Sequence, residues 1–231
     1  MAPVIEKRSA GRVMGGPFKG LRAPGSGTGN AHYAFLLGIY EKSLVPVIEA
    51  VIARAPATII DVGAGWGYYA LGFAVRCPAA RVIGYEIDPT RADLVRRYRG
   101  LNGLDGHVDV RGACTVEALA QDVAGLTDAF LLVDVEGEED ALLDPMRAPG
   151  LRRTEILVEL HEGFVPGITV RIQDRFSGTH VQTLLYSEPA LVTRDLMGWM
   201  ADYAVLRWIA GRMADEGRET ETSWLHLLPR S

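Results

Sequence analysis

The chain has 231 residues, with 24 Lys and Arg against 29 Asp and Glu, a formal net charge of −5. That length suits one domain with decorations better than two independent folds. With 48% apolar and 23% charged residues it is not a disordered chain. The acidic balance excludes a nucleic-acid binder held by phosphate contacts, which needs a basic field.

Residues 1–30 are rich in Gly and Pro and end in APGSGTGN. They read as an arm with few side chains to bury, with a short hairpin around GGPFKG. A helical region follows over 31–54. Ser43 is placed to cap its second half, and Pro46 is tolerable in a first turn. Leu44, Ile48, Val51 and Ile52 then share one face. From residue 57 the pattern changes to short apolar runs alternating with helical segments. Strands are expected at 57–62, 81–86, 107–111, 128–135 and 155–160, with helices at 67–77, 90–101, 115–122 and 137–144. Such alternation means βαβ units, a parallel sheet and right-handed crossovers. A strand over 179–186, an apolar helix over 195–214 and a last strand over 223–228 complete the α/β core, 57–231. Residues 31–231 thus read as one domain.

Cys77 and Cys114 lie far apart with no CxxC spacing, so no zinc knuckle or disulfide framework is expected. The N-terminus lacks the apolar stretch of a secretory signal. The longest apolar run, from Thr58 to Val75, is broken by Asp61 and several glycines, whereas a membrane span needs ~20 nearly uninterrupted apolar residues. A cytoplasmic protein without a membrane partner is the expectation.

The strongest local signal is TIIDVGAGWGYYALGFA, residues 58–74. An apolar strand ends in Asp61, then Gly63, Gly65 and Gly67 form a tight turn into a helix. Glycines let the backbone approach a ligand closely, and a helix start is expected to present free N–H groups. The dinucleotide pattern G-x-G-x-x-G would place its third glycine at Tyr68 and is not met. Asp61, read as facing the ligand, would oppose a pyrophosphate but attract the ammonium and sulfonium of S-adenosylmethionine (SAM). Glu86 closes the second strand, where an acidic residue accepts ribose hydroxyls. Asp88 before Pro89 reads instead as a helix cap. After the third strand, Ala113 and Cys114 either contact a base or form an ordinary turn before Thr115. Cys114 has no adjacent cation to make it a nucleophile.

In the fourth strand, AFLLVDVEGEED, the two-residue period points Asp134 and Glu136 to one face at the carboxyl end. The fifth, EILVELHEG, brings Glu159, His161 and Glu162 to the same edge. This group admits three uses. His161 could deprotonate a substrate hydroxyl, having a side chain that titrates near neutrality. The group could bind a hard divalent ion, a less favoured use. Or it could be structural, with Glu138, Glu139 and Asp140 simply favouring a helix start. Elsewhere, Arg91, Arg96, Arg97 and Arg99 read as a solvated helix face and His180 as a buried, hydrogen-bonded histidine. Trp199, Tyr203, Trp208 and Met213 read as packing.

Taken together, GIYEKSL, DVGAGWGYYAL, YEID, LLVDVEGEE and ILVELHEG, spanning residues 38–162, resemble class I SAM-dependent methyltransferases of the FkbM type. The resemblance implies a doubly wound, mostly parallel seven-stranded sheet whose last hairpin is reversed. It implies SAM bound along Asp61, Gly63, Gly65 and Glu86, and the expected cofactor-binding set also takes in Ala64, Ile87, Ala113, Cys114 and Asp134. It also implies O-methylation of a small molecule or sugar, for which His161, assisted by Asp134 or Glu136, is the expected base and no metal is assigned. The glycine-rich arm and the 195–214 segment depart from the shared pattern, so substrates of other members do not transfer. The rival readings are a non-catalytic SAM-fold module and an NAD-dependent oxidoreductase.

Overall fold

Strands that are apolar on both faces are satisfied only between two layers of helices, and the runs read from the sequence form that middle layer. The computed structural model describes residues 2–22, 30–186 and 223–230. Its sheet contains β1 (Thr58–Val62), β2 (Arg81–Tyr85), β3 (Val108–Arg111), β4 (Ala129–Val133), β5 (Glu155–Leu160), β6 (His180–Tyr186) and β7 (Ser223–Pro229). Their order is β3-β2-β1-β4-β5-β7-β6. The first five pair in parallel, and β7 runs antiparallel between β5 and β6. This is the doubly wound sheet with a reversed last hairpin, every strand lying within two residues of its expected bounds.

The two-residue period sorts the side chains onto two cores. Ile59, Val82, Phe130, Leu132 and Leu157 enter one; Ile60, Ile83, Leu131, Val133, Ile156 and Val158 enter the other. Helices α4 (Tyr68–Arg76), α5 (Pro89–Leu101), α6 (Val116–Val123) and α7 (Glu139–Leu142) occupy the expected crossovers. One helix was not anticipated, α8 (Ile168–Phe176). Its β-branched start, ITV, has low helix propensity, yet Ile168, Ile172 and Phe176 recur at four-residue spacing and are all buried. The exposed Glu162 carboxylate accepts the Gly167 and Thr169 N–H groups and so caps it. Of the uses left open for Glu162, this capping is a structural one. The 195–214 helix and its aromatic residues lie outside the described residues.

The N-terminal segment corrects an expectation. It is not an arm with little to bury. A helix, α1 (Ala2–Ser9), leads into a turn closed by an Arg12–Arg22 bridge around GGPFKG, and Ile5, Val13, Phe18 and Leu21 are all buried. Phe18 meets Tyr68, Tyr69 and Phe73 of α4 edge-on at 5.1, 6.0 and 5.4 Å. Gly72 makes room for it, since a Cβ there would overlap the Phe18 ring. The 31–54 region is likewise two helices, α2 (Asn30–Leu37) and α3 (Val45–Arg54), separated at Gly38 and a left-handed Glu41. Ser43 falls in a short 3-10 turn and caps nothing, while Pro46 sits in the first turn as expected. Leu44, Ile48 and Val51 are buried.

Candidate active site

The crossover helices leave the sheet in opposite senses on either side of β1 and β4, and a crevice opens there at the strands' carboxyl ends. It is a cleft of about 450 Å³. Gly63, Ala64, Gly65, Glu86, Ile87, Ala113, Cys114, Asp134 and Glu136 all line it. So do residues outside the expected set: Phe35 and Tyr40, Trp66, Tyr68 and Tyr69, Arg91 and Glu138. Their signal was the aromatic cluster around Tyr68, whose ring stacks on Phe35 at 4.8 Å and which stands where a dinucleotide turn needs glycine.

Two expectations about the glycine turn are corrected. The Gly63, Ala64, Gly65 and Gly67 N–H groups of the turn itself are not free. Gly63 and Ala64 donate to the Tyr85 carbonyl at 3.0 and 2.8 Å, and Gly67 to that of Ala64 at 2.7 Å. Gly65 donates to Glu86 Oε2 at 2.7 Å. Second, Asp61 does not face the cleft. It is 1% exposed, and its Oδ2 accepts the Ala70 N–H of α4 at 2.9 Å. Asp61 thus ties the helix to the strand from beneath the turn. Burial, reinforced by Asp134 and Glu86, lifts its pKa to about 7 despite the Ala70 bond. The turn closes tightly against β4. Gly63 has φ +90°, and a Cβ there would overlap the Asp134 carbonyl oxygen.

Glu86 sits as expected at the end of β2, buried, with Oε1 accepting the Asp88 N–H at 2.8 Å. Asp88 caps α5 through the Thr90 and Arg91 N–H groups. Cys114 lines the cleft as a thiol, because burial and the nearby Asp122 raise its pKa to about 12. His180 is buried between the Thr154 carbonyl and the Thr179 hydroxyl, as read. Arg91, read as solvated, lies over the Trp66 ring at 5.4 Å.

The acidic strand ends do converge. His161 Nε2 lies 3.3 Å from Glu136 Oε2, 3.7 Å from Asp134 Oδ1 and 3.9 Å from Glu159 Oε2. The imidazole stands behind Asp134 and Glu136, with its side chain 8% exposed, and Phe164 stacks on it at 5.8 Å. The residue missed is Glu139, read only as a helix start. It is fully buried, and its Oε1 contacts His161 Nδ1 at 2.6 Å while accepting the Val135 and Gly137 N–H groups. An acid in a first turn does not reveal that the turn folds back onto β5. Burial opposes charge on His161, but the Glu139 bond and the Asp134 and Glu136 carboxylates outweigh it and raise its pKa. Asp134 is pushed well above the carboxylate range by burial and by Glu159 beside it. Glu136 holds a left-handed φ of 55°, a costly conformation for a non-glycine residue.

Comparison with solved structures places this geometry in context. The O-methyltransferase TomG from Streptomyces achromogenes, involved in tomaymycin synthesis and solved with SAM, matches with a TM-score of 0.51 at 11% identity, covering 78% of this chain and 77% of that one. An O-methyltransferase from Bacillus cereus, solved with S-adenosylhomocysteine (SAH), matches with a TM-score of 0.50 at 14% identity over 78% and 77%. The chain has the class I methyltransferase fold. No family model and no curated protein matches the sequence. Among the described residues no helix is long and apolar enough to cross a membrane.

Proposed function

We propose that this protein is a SAM-dependent methyltransferase acting on a hydroxyl of a small molecule, a sugar or natural product, and that it is of the FkbM type by its motifs. One observation carries the reading. The Gly63, Ala64, Gly65 and Gly67 N–H groups are used internally, and the cleft the turn opens on is lined by Glu86, Asp134, Glu136 and Glu138 against Arg91 alone among the described residues. A diphosphate would find those donors taken and like charge around it. A ligand with cationic centres and ribose hydroxyls finds complementary groups. The electrostatic argument first attached to Asp61 thus passes to carboxylates that line the cleft.

The donor set fits SAM. Glu86 has lone pairs to spare for ribose hydroxyls beyond the two N–H groups it accepts, and Ala113 and Cys114 offer a small-residue wall for adenine. Gly63, Ala64 and Gly65 provide close backbone approach, and Ile87 an exposed apolar edge. When bound, SAM supplies a methyl group on a cationic sulfur and departs as a neutral thioether. The protein's part is to hold the acceptor oxygen in line in a water-poor cleft, an effect worth up to ~7–11 kcal/mol. It must also remove the hydroxyl proton. Asp134 and Glu136 meet the acceptor, and His161 behind them is the base. Because its pKa is raised, turnover climbs with pH through a value above the ordinary imidazole one.

Calorimetry with SAH and NADH in parallel tests the cofactor, and labelled SAM with extracts of the producing cells tests turnover. SAH binding with label transfer to a small molecule is expected. NADH binding without SAH binding would overturn the proposal; SAH binding without transfer to any of a broad alcohol panel would favour a binding module.

A further inference from the structure

The acceptor end of the cleft gathers more carboxyl groups than a base needs. Asp134, Glu136 and Glu139 surround a single imidazole, with Glu159 3.9 Å from its Nε2. No Lys or Arg of the described residues forms an ion pair with Asp134 or Glu136. Asp134 Oδ1 is sealed from solvent and without a hydrogen-bond partner. Glu136 is held in its left-handed conformation with a carboxylate 75% exposed at the mouth. Beside them Phe164 is 68% exposed, and its ring lies nearly parallel to the imidazole, 18° between planes. Carboxylates and an open aromatic face together are the equipment for holding an organic cation.

Resting on the methyltransferase reading above, we propose that the acceptor is an amino alcohol, whose protonated amine takes the counter-charge position beside Glu136 and so frees His161 of its proton. The groups facing the imidazole are Asp134 and Glu136 after β4, Glu139 on α7, Glu159 on β5 and the uncharged Phe164. Without an acceptor, the imidazolium is the counter-charge to Glu136 and Glu139, and its Nε2 has no lone pair to offer. An arriving ammonium replaces that charge, and one proton passes from Nε2 to solvent. The neutral Nε2 then takes the hydroxyl proton during transfer. Substrate charge thereby switches on the base, and an anionic acceptor fails twice, by repulsion and by leaving His161 protonated.

The test is calorimetry on the SAH-saturated protein with three matched ligands: an aminocyclitol, the cyclitol lacking its amine and the cyclitol phosphate. Each is titrated at neutral pH in two buffers of different ionisation enthalpy. The expectation is that the aminocyclitol binds about tenfold or more tightly than the amine-free compound, with release approaching one proton. The phosphate should not bind. Glu136→Gln, titrated at saturating SAH, should erase most of the preference. Equal binding of the amine-free cyclitol, tighter binding of the phosphate, absence of proton release or a requirement for added Mg²⁺ would each overturn the inference. Failure of SAH itself to bind would instead overturn the methyltransferase reading.

Discussion

Replacing Glu139 with Gln keeps the shape of the His161 support and removes its charge. The amide oxygen still accepts from His161 Nδ1, where the carboxylate lies at 2.6 Å in a site closed to water. What is lost is the charge assistance of that bond. Hydrogen bonds to charged groups contribute ~1.5–3 kcal/mol, against ~0.5–1.5 kcal/mol for neutral ones. At about 1.36 kcal/mol per pKa unit, the difference lowers the imidazole by roughly one unit. The group must be deprotonated to act, so kcat/KM rises with pH through the pKa of the free enzyme. The rising limb of E139Q therefore moves about one unit to lower pH, and its plateau drops because the base is weaker. The assay is the initial rate of SAH formation from pH 5.5 to 9, with thermal melting as a fold control. A limb that stays in place while the protein remains folded would refute the coupling between Glu139 and His161. Glu139→Ala is a harsher change: it strips the acceptor from the Val135 and Gly137 N–H groups, costing ~1–3 kcal/mol for each group left unsatisfied.

The other predictions concern the base, the glycine turn and the N-terminal segment. His161→Ala cuts turnover by ~10²–10⁴ and leaves SAH affinity nearly intact by calorimetry; unchanged turnover removes His161 from the reaction. Asp61 binds its proton more tightly folded than unfolded, with a pKa of about 7 against 3.8. The protein therefore loses stability as pH climbs from about 4 to about 7, by roughly 4 kcal/mol at ~1.36 kcal/mol per unit. Asp61→Asn, which can still accept from Ala70, should flatten that slope in urea titrations at pH 4.5 and 7.5, and parallel slopes in the two proteins would contradict it. Gly63→Ala sets a Cβ against the Asp134 carbonyl in a left-handed conformation, so SAH binding should be abolished along with some stability. Wild-type affinity would mean that the turn does not close against β4 as described. Phe18→Ala empties a fully buried aromatic site against α4 and should cost ~3–5 kcal/mol; a change under ~1 kcal/mol in denaturant midpoint analysis would return residues 10–22 to the status of a loose arm.

Periodicity settled the middle layer from the residues alone. An apolar run such as AFLLV, with side chains alternating to two faces, has no stable place except inside a sheet covered on both sides, and a strand-to-helix alternation leaves few topologies to choose among. The same period anticipated Asp134 with Glu136 and Glu159 with His161, but β4 ends at Val133 and Glu136 reaches the imidazole through a left-handed turn, not through strand alternation. Local chemistry likewise marked Asp88 before Pro89 as a cap and His180 as buried. What the residues could not declare was anything settled by contacts between distant segments. Burial of Phe18 depends on a gap at Gly72, 54 positions away in the chain. The Gly63, Ala64 and Gly65 N–H groups of the turn are spent on the Tyr85 carbonyl and on Glu86 at the end of the neighbouring strand. Glu139 supports His161 only because the turn after β4 folds back over β5. Hydrogen-bond donors and buried charges are allotted by three-dimensional proximity, and a one-dimensional pattern records which groups exist but not which of them meet.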